Sequence, residues 1–266
     1  MSTVTVRFHG SLNDFLPLGR RDLPVVREFE SPPAIKDTIQ AMGVPHPEVD
    51  LIMANDRPVD FSYRLRPGDR IEVFGLDRPA GLAGLAGLVP TPPEPPRFVL
   101  DGHLGRLVRY LRMLGFDTRY DRRAEDSELA RASAEESRIL LTRDRGLLKR
   151  SVVRHGFLVR DDDPRCQLAQ VVARYGLSRL AAPFTRCIRC NGAIRPVGRS
   201  EVVERLAGQL RTLRYFDSFG RCDGCSSIYW PGSHYDRMSR VAQEVLSTGL
   251  PIGENHPDGQ GRRSVE

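Results

Sequence analysis

Residues 98–120 read FVLDGHLGRLVRYLRMLGFDTRY, and this stretch decides the fold expected for the middle of the chain. Its first three residues are apolar and predict a buried strand that ends at Asp101. Leucine and valine then recur three and four residues apart from Leu104 to Leu114, which is the spacing of a helix with one apolar face. Gly115 is typical of a helix end, and DTRY predicts a second strand. The stretch therefore predicts a β-α-β unit.

Segments downstream of this unit continue the alternation of strands and helices. Strands are expected at 138–144 and 156–163, and helices at 127–137, 146–156 and 166–176. We expect Asp126 or Ser127 to cap the first of these helices, because short polar side chains are favoured there. Alternating strands and helices with short connections imply a mostly parallel sheet. We therefore expect an α/β domain over residues 97–182.

Three of the expected strands end in aspartates, at Asp101, at Asp144 and at 161–163. A fourth, Asp126, begins a helix. In open α/β sheets, ligands bind at the carboxyl ends of the strands, and clustered carboxylates need a cation. Any one aspartate is more often a turn or cap residue, but the joint pattern favours a site. It predicts that Asp101, Asp126 and Asp144 hold Mg²⁺ or Mn²⁺, with Asp161 as a weaker candidate.

Arginines surround these acids, and the chain carries a formal net charge of +6. The excess of basic residues lies in residues 97–240, which favours a polyanionic partner. Arg106, Arg109 and Arg112 form a stripe on the first helix, while Arg143 and Arg145 flank Asp144. We expect Arg106, Arg109, Arg143 and Arg145 to contact the phosphates of a nucleic acid. The alternative interpretation is a solvated helix face and a surface salt-bridge cluster.

Four of the five cysteines form two C-x-x-C pairs, Cys187 with Cys190 and Cys222 with Cys225. Two such pairs are typical of a zinc ribbon with a closed, structural site, expected here over residues 183–240. A redox dithiol is the less favoured alternative. The segment VVERLAGQLR between the pairs is expected to be helical. A zinc ribbon would assist the binding of a nucleic acid.

The first 78 residues predict two strands, a short helix closed by Gly43, and further strands after it. This order resembles the ubiquitin-like β-grasp fold of small sulfur-carrier proteins. The carrier chemistry is not expected here, because the chain continues past Gly75 and has no Gly-Gly terminus. A binding role, with a protein as one candidate partner, is the safer interpretation.

Glycine and proline dominate residues 79–96, PAGLAGLAGLVPTPPEPP, and predict a linker. Residues 241–266 are expected to hold the end of a helix and a disordered tail. No apolar run is long enough to span a membrane, and the N-terminus has no signal-peptide core. We therefore expect a cytoplasmic protein without a membrane partner.

The stretches FVLDGHLGRLVRYLRMLGFDTRY and DSELARASAEESRILLTRDRGLLKR together resemble the Mut-seven C-terminal RNase-domain family. That family is a branch of the PIN-like nuclease fold, and the resemblance spans residues 97–235. It implies a ribonuclease that depends on Mg²⁺ or Mn²⁺. Its acids would fall on Asp101, Asp126 and Asp144, and less surely on Asp161 or Asp162. The N-terminal part is similar to the ubiquitin-like domain fused to members of this family.

The function expected from the sequence is hydrolysis of RNA phosphodiester bonds by a metal-activated water. One alternative is a non-catalytic RNA-binding adaptor on the same PIN-like fold. The other is a scaffold recruited through the β-grasp domain. The sequence does not distinguish tRNA, rRNA and mRNA substrates, or endonucleolytic from exonucleolytic cleavage.

Overall fold

The computed structural model describes residues 1–208 and 210–248. Its N-terminal part is a mixed five-stranded sheet in the order β2-β1-β5-β3-β4, in which the neighbours β1 and β5 run parallel. The strands are β1 (Ser2–Phe8), β2 (Val25–Phe29), β3 (Leu51–Ala54), β4 (Arg57–Val59) and β5 (Arg70–Phe74). Helix α1 (Ile35–Ala41) buries Ile35 and Ile39, and Gly43 follows it at a φ of +105°. This arrangement is the expected ubiquitin-like fold.

The Gly- and Pro-rich segment 79–96 packs against the N-terminal sheet. Arg78, just before it, forms an ion pair of 3.2 Å with the buried carboxylate of Asp50. The backbone N–H of Leu88 donates to the Asp50 carbonyl at 2.6 Å. Both ends of the glycine-rich half of the segment are thus bound to Asp50. This half of the predicted linker is therefore packed against the N-terminal domain.

A four-stranded parallel sheet, in the order β7-β6-β8-β9, forms the middle of the molecule. Its strands are β6 (Phe98–Leu100), β7 (Thr118–Tyr120), β8 (Ile139–Thr142) and β9 (Gly156–Leu158), and the connecting helices are α2 (Gly105–Met113), α3 (Asp126–Glu135), α4 (Arg145–Leu148) and α5 (Pro164–Tyr175). The predicted α/β order and parallel sheet are confirmed. The helix expected within 146–156 is only the single turn of α4.

Apolar residues cover both faces of this sheet, because successive side chains of a strand point to opposite faces. Phe98, Leu100 and Leu141 face a core formed with α2, α5 and the C-terminal helix. Val99 and Leu140 belong to a second core, which also contains residues of β1, β3, β5 and α1. The N-terminal domain and the α/β domain therefore share one continuous hydrophobic core.

The C-terminal part contains a three-stranded antiparallel sheet of β10 (Ile194–Val197), β11 (Phe219–Cys222) and β12 (Ile228–Tyr229). The helix expected at 202–211 is not where the sequence predicted it. Residues 202–208 form turns, and α6 is Leu210–Tyr215. Val202 and Leu206 lie in these turns and are buried in the small core of this part of the chain.

Helix α7 (Ser233–Thr248) contributes Val241, Ala242 and Val245 to the core of the α/β domain. The boundary predicted after residue 240 therefore falls inside this helix. The tail predicted to be disordered lies, from residue 249 onward, outside the described residues. No helix in the part of the chain that the structure describes has the length and apolar character to cross a membrane.

Candidate functional site

Three of the predicted acids, Asp101, Asp126 and Asp144, line one cavity of about 320 Å³, here called the acid cavity. Asp101 directly follows β6, and Asp144 lies two residues after the end of the neighbouring strand β8. Asp126 begins α3. Parallel strands place their carboxyl ends at one sheet edge, so the topology brings these acids together. Thr142 and His103 also contribute to the lining.

Asp101 is the most constrained of the three acids, with only 6% of its surface exposed. One carboxylate oxygen accepts from the backbone N–H of His103 at 2.8 Å. The other accepts from the backbone N–H of Arg143 at 2.9 Å and from the hydroxyl of Thr142. Three donors fix the position of this side chain, as an inflexible metal ligand requires.

Thr142 connects the two strand-end acids. Its hydroxyl donates to Asp101 and accepts from the backbone N–H of Asp144 at 2.9 Å. Asp144 in turn caps α4, because its Oδ1 accepts from the backbone N–H of Gly146 at 2.6 Å. A hydrogen-bonded chain thus runs from Asp101 through Thr142 to Asp144.

The cap of α3 differs from the prediction of Asp126 or Ser127. Glu125 is the N-cap, and it forms a capping box with Glu128, whose carboxylate accepts from the backbone N–H of Glu125 at 3.1 Å. A Glu three residues after the cap favours this register, since two backbone donors are satisfied at once. The carboxylate of Asp126 therefore does not cap α3 and lies exposed at the acid cavity.

Asp161, the weaker candidate, lies outside the lining of the acid cavity. Its carboxylate accepts from the backbone N–H of Asp163 at 2.8 Å. Asp163 caps α5, and hydrogen bonds from the backbone N–H groups of Cys166 and Arg165 lower the pKa of its carboxyl. Asp162 forms an ion pair of 2.5 Å with Arg143. The acidic run 161–163 is therefore engaged in a turn and a helix cap.

The donor set of the acid cavity fits a hydrated Mg²⁺ or Mn²⁺ ion. Within residues 1–208 and 210–248, only a cysteine cluster brings three or more potential ligand atoms within 4.8 Å of one another. The three carboxylates are thus more widely spaced than that. Mg²⁺ commonly keeps several waters and takes only one or two carboxylates directly, so a spaced oxygen set around a polar cavity suits it.

A larger cavity of about 1170 Å³, here called the basic groove, adjoins the acid cavity and shares Gly102, His103 and Arg122 with it. The arginines that line the groove are Arg106, Arg109, Arg112, Arg122, Arg143 and Arg189. The predicted Arg106, Arg109 and Arg143 are among them. An arginine-lined groove that leads to acids can hold a polyanionic chain through its phosphates.

Arg145 is the exception among the arginines predicted to contact RNA. Its guanidinium donates to the backbone carbonyl of Phe15 at 3.1 Å and lies 5.4 Å from the centre of the Phe15 ring. Both partners belong to the N-terminal domain, which the sequence could not place beside α4. Arg145 is therefore engaged with the N-terminal domain and does not line the basic groove.

The four predicted cysteines form one cluster, whose Sγ atoms all lie within 4.8 Å of one another. Sγ of Cys187 is 3.6 Å from that of Cys225, and Sγ of Cys190 is 3.3 Å from that of Cys222. A tetrahedral zinc with Zn–S bonds of about 2.3 Å separates its sulfurs by about 3.8 Å, so the cluster can hold zinc. Hydrogen bonds from Ser227 lower the pKa of Cys225 to about 6, which favours its thiolate, whereas burial raises the pKa of Cys190 to about 12.

Arg112 joins the cysteine cluster to the α/β domain. It is 6% exposed, and it donates to the carbonyls of Thr118, Ile188 and Arg189 at 2.8 to 3.3 Å. Its spacing places it in a basic stripe with Arg106 and Arg109, whereas the structure buries it. Its position four residues after the buried Val108, on the apolar face of α2, was the available signal.

Comparison with protein families gives two matches on this chain. A model described as the Mut7-C RNAse domain matches residues 96–242, and one described as Mut7-C ubiquitin matches residues 1–80. No curated protein and no solved structure matches it. The acid cavity, the basic groove and the cysteine cluster all lie within the first match, which covers more than half of the chain. The chain therefore belongs to the Mut7-C RNAse domain family and carries a Mut7-C ubiquitin domain at its N-terminus.

Proposed function

We propose that this protein is a metal-dependent ribonuclease that hydrolyses phosphodiester bonds in RNA. The observation that supports this most directly is the acid cavity. Its three carboxylates meet at the carboxyl edge of a parallel sheet and open into an arginine-lined groove. The RNAse family match supports a nuclease-like role independently of that geometry.

Asp101, Asp126 and Asp144 would hold Mg²⁺ or Mn²⁺, which supplies Lewis acidity and an activated water when bound. Asp101 and Asp144 are positioned for this role by Thr142, whose hydroxyl contacts both residues. The arginines of the basic groove would hold the substrate phosphates. Fixed carboxylates and fixed cations leave little reorganisation for the reaction step.

The four-cysteine segment would hold a structural zinc and form one wall of the basic groove. Ile188 and Arg189, between the first two cysteines, line that groove.

Arg112 is bound to backbone carbonyls, so the phosphate contacts are assigned to the other five arginines of the groove. Five phosphate contacts predict a log-log salt dependence of single-stranded RNA binding with a slope of about −3 to −4.

The β-grasp domain could still bind a protein partner. One side of it is covered by the α/β domain in the shared core. Leu18, Leu23 and Val26 of the β-grasp domain are exposed and would be available to such a partner.

Cleavage of end-labelled RNA by the purified full chain in Mg²⁺ or Mn²⁺ tests the proposal. Asp144→Asn should lower the rate by at least about 100-fold, because changes to groups that only support a metal ligand already cost about 10–100-fold. Asp121→Asn is the matched control, since this exposed acid lines neither cavity and accepts a hydrogen bond from the backbone N–H of Arg123. RNA binding without cleavage by the wild-type chain would favour the non-catalytic adaptor instead.

A further inference from the structure

We infer that the N-terminal β-grasp domain positions the acid cavity, by holding both ends of the short helix that Asp144 caps. Phe15 and Gln40 of that domain are then positioning residues for the metal site. The inference rests on the proposed function, since it assigns a role to the domain within the same site.

Helix α4 is too short to be stable without contacts to the rest of the protein. It contains four residues, Arg145–Leu148, which is a single turn. Nucleating one helical turn in isolation is unfavourable, so such a helix depends on tertiary contacts. Leu147 and Leu148 are buried and belong to the core shared with the N-terminal domain. The location of Asp144 therefore depends on what packs around α4.

The first residue of α4 is held by the N-terminal domain. The Arg145 guanidinium donates to the Phe15 carbonyl and lies over the Phe15 ring. The polar contact satisfies a backbone acceptor, and the ring contact adds a cation–π interaction. Because Arg145 directly follows Asp144, this contact fixes the backbone beside the acid.

The residue after α4 is held from the other side by a reciprocal pair. The Lys149 ammonium donates to the backbone carbonyl of Gln40 at 2.7 Å. The Gln40 side-chain amide donates to the backbone carbonyl of Lys149 at 3.2 Å. Both hydrogen bonds cross the domain interface. Residues of the N-terminal domain therefore contact α4 at its first residue and just after its last one.

The interface that supplies these contacts is itself fixed in orientation. The carboxylate of Glu48 is 2% exposed, accepts from the backbone N–H of Leu158 at 2.7 Å and pairs with Arg174 at 3.2 Å. A buried charge pair tolerates little displacement, because moving one partner leaves the other charge uncompensated. The domain thus offers α4 a rigid surface.

Binding of Mn²⁺ to the full-length protein tests the inference without using activity. The free Mn²⁺ signal in electron paramagnetic resonance gives the dissociation constant, with Asp144→Asn as the reference for a lost ligand. We expect Arg145→Ala and Lys149→Ala each to weaken Mn²⁺ binding by about 10-fold, as for loss of a group that supports a ligand. Lys149→Arg, which keeps a donor for Gln40, should restore most of it.

Arg160→Ala is the matched control. Arg160 also lies over the Phe15 ring, at 4.7 Å, and pairs with Asp14, but it follows β9 and not Asp144. We expect it to leave Mn²⁺ binding unchanged. Equal weakening in the Arg145 and Arg160 variants would overturn the inference, since general loosening of the interface would explain both.

Two further results would also overturn it. Unchanged Mn²⁺ binding in Arg145→Ala, with a raised KM for RNA, would make Arg145 an RNA contact. Unchanged Mn²⁺ binding in Asp144→Asn would remove the proposed metal site, and this inference with it. The Asp144 variant thereby separates failure of the proposed function from failure of the positioning role alone.

Discussion

A single hydroxyl, on Thr142, connects the two strand-end acids of the candidate site. We expect Thr142→Val, which keeps the shape and removes the hydroxyl, to lower cleavage and Mn²⁺ affinity by about 10–100-fold, the usual cost of losing a group that supports a metal ligand. Thr142→Ser is the control, because it retains the hydroxyl and should keep near wild-type values. A valine variant with wild-type Mn²⁺ affinity would show that the hydroxyl does not position the acids.

His46 shows how one buried residue gives the domain interface a pH dependence. Its Nε2 donates to the Val153 carbonyl at 2.9 Å, and its Nδ1 accepts from the Gln40 amide at 3.2 Å. Burial, and the nearby Lys36, lower its pKa from 6.5 to about 4. A proton on Nδ1 would point at the side-chain N–H of Gln40, so these contacts favour the neutral form of the imidazole ring.

Folding stability should therefore fall as the pH decreases from 6.5 to about 4. The unfolded chain binds this proton more readily than the folded chain, so protonation favours unfolding, by up to about 3 kcal/mol. Urea denaturation of the wild type and of His46→Gln, at pH 7 and pH 5, measures the effect. The decrease in the free energy of unfolding from pH 7 to pH 5 should be smaller in His46→Gln than in the wild type. An equal loss in both proteins would exclude His46 as its source.

At the scale of elements, we expect the three-stranded C-terminal sheet to depend on metal binding at its cysteine cluster. The cluster connects the loop at Cys187 and Cys190 with the turn at Cys222 and Cys225, and the sheet has only a small core of its own. Structural zinc sites contribute folding free energy directly, and small metal domains unfold without the ion. The sheet and the metal should therefore be lost together.

We expect Cys190→Ser to lose zinc and to lose hydrogen-exchange protection in β10, β11 and β12. Protection in β6 and β8 should persist, because their core is separate. The only tryptophan, Trp230, packs against the ribbon core and its fluorescence reports the same change. Cys166→Ser, a cysteine outside the cluster, is the control. Retained zinc and protection in the Cys190 variant would contradict the prediction.

At the scale of the whole molecule, the shared core makes the two domains interdependent. Leu129, Leu147, Leu148, Val153 and Leu158 of the α/β domain all belong to the core completed by the N-terminal sheet. Exposing a buried leucine or valine costs about 1.5–3 kcal/mol. A chain that begins at residue 97 would expose several of them at once.

We therefore expect the fragment 97–266 to melt at least about 10 °C below the full chain, since about 1 kcal/mol corresponds to 2–4 °C at this size. Differential scanning calorimetry measures both melting temperatures. Addition of residues 1–96 as a separate chain should recover part of the difference. Equal melting temperatures would show that the shared core contributes little.

Local patterns in the sequence determined the order of elements, the two cysteine pairs and the acids at the strand ends. The apolar face from Leu104 to Leu114, the stop at Gly115 and the C-x-x-C spacings act over a few residues, so they can be interpreted without knowledge of the fold. The parallel sheet follows from the alternation of elements, and it brings Asp101 and Asp144 to one edge.

Only the tertiary structure decided which surfaces meet. Arg143 and Arg145 flank the same acid in the sequence, yet one lines the basic groove and the other contacts Phe15. Arg112 belongs to a basic stripe by spacing, yet it is buried on the carbonyls of the cysteine loop. The reason is physical: charge and spacing specify what a side chain can do, whereas its partner depends on residues far away in the chain that packing brings beside it.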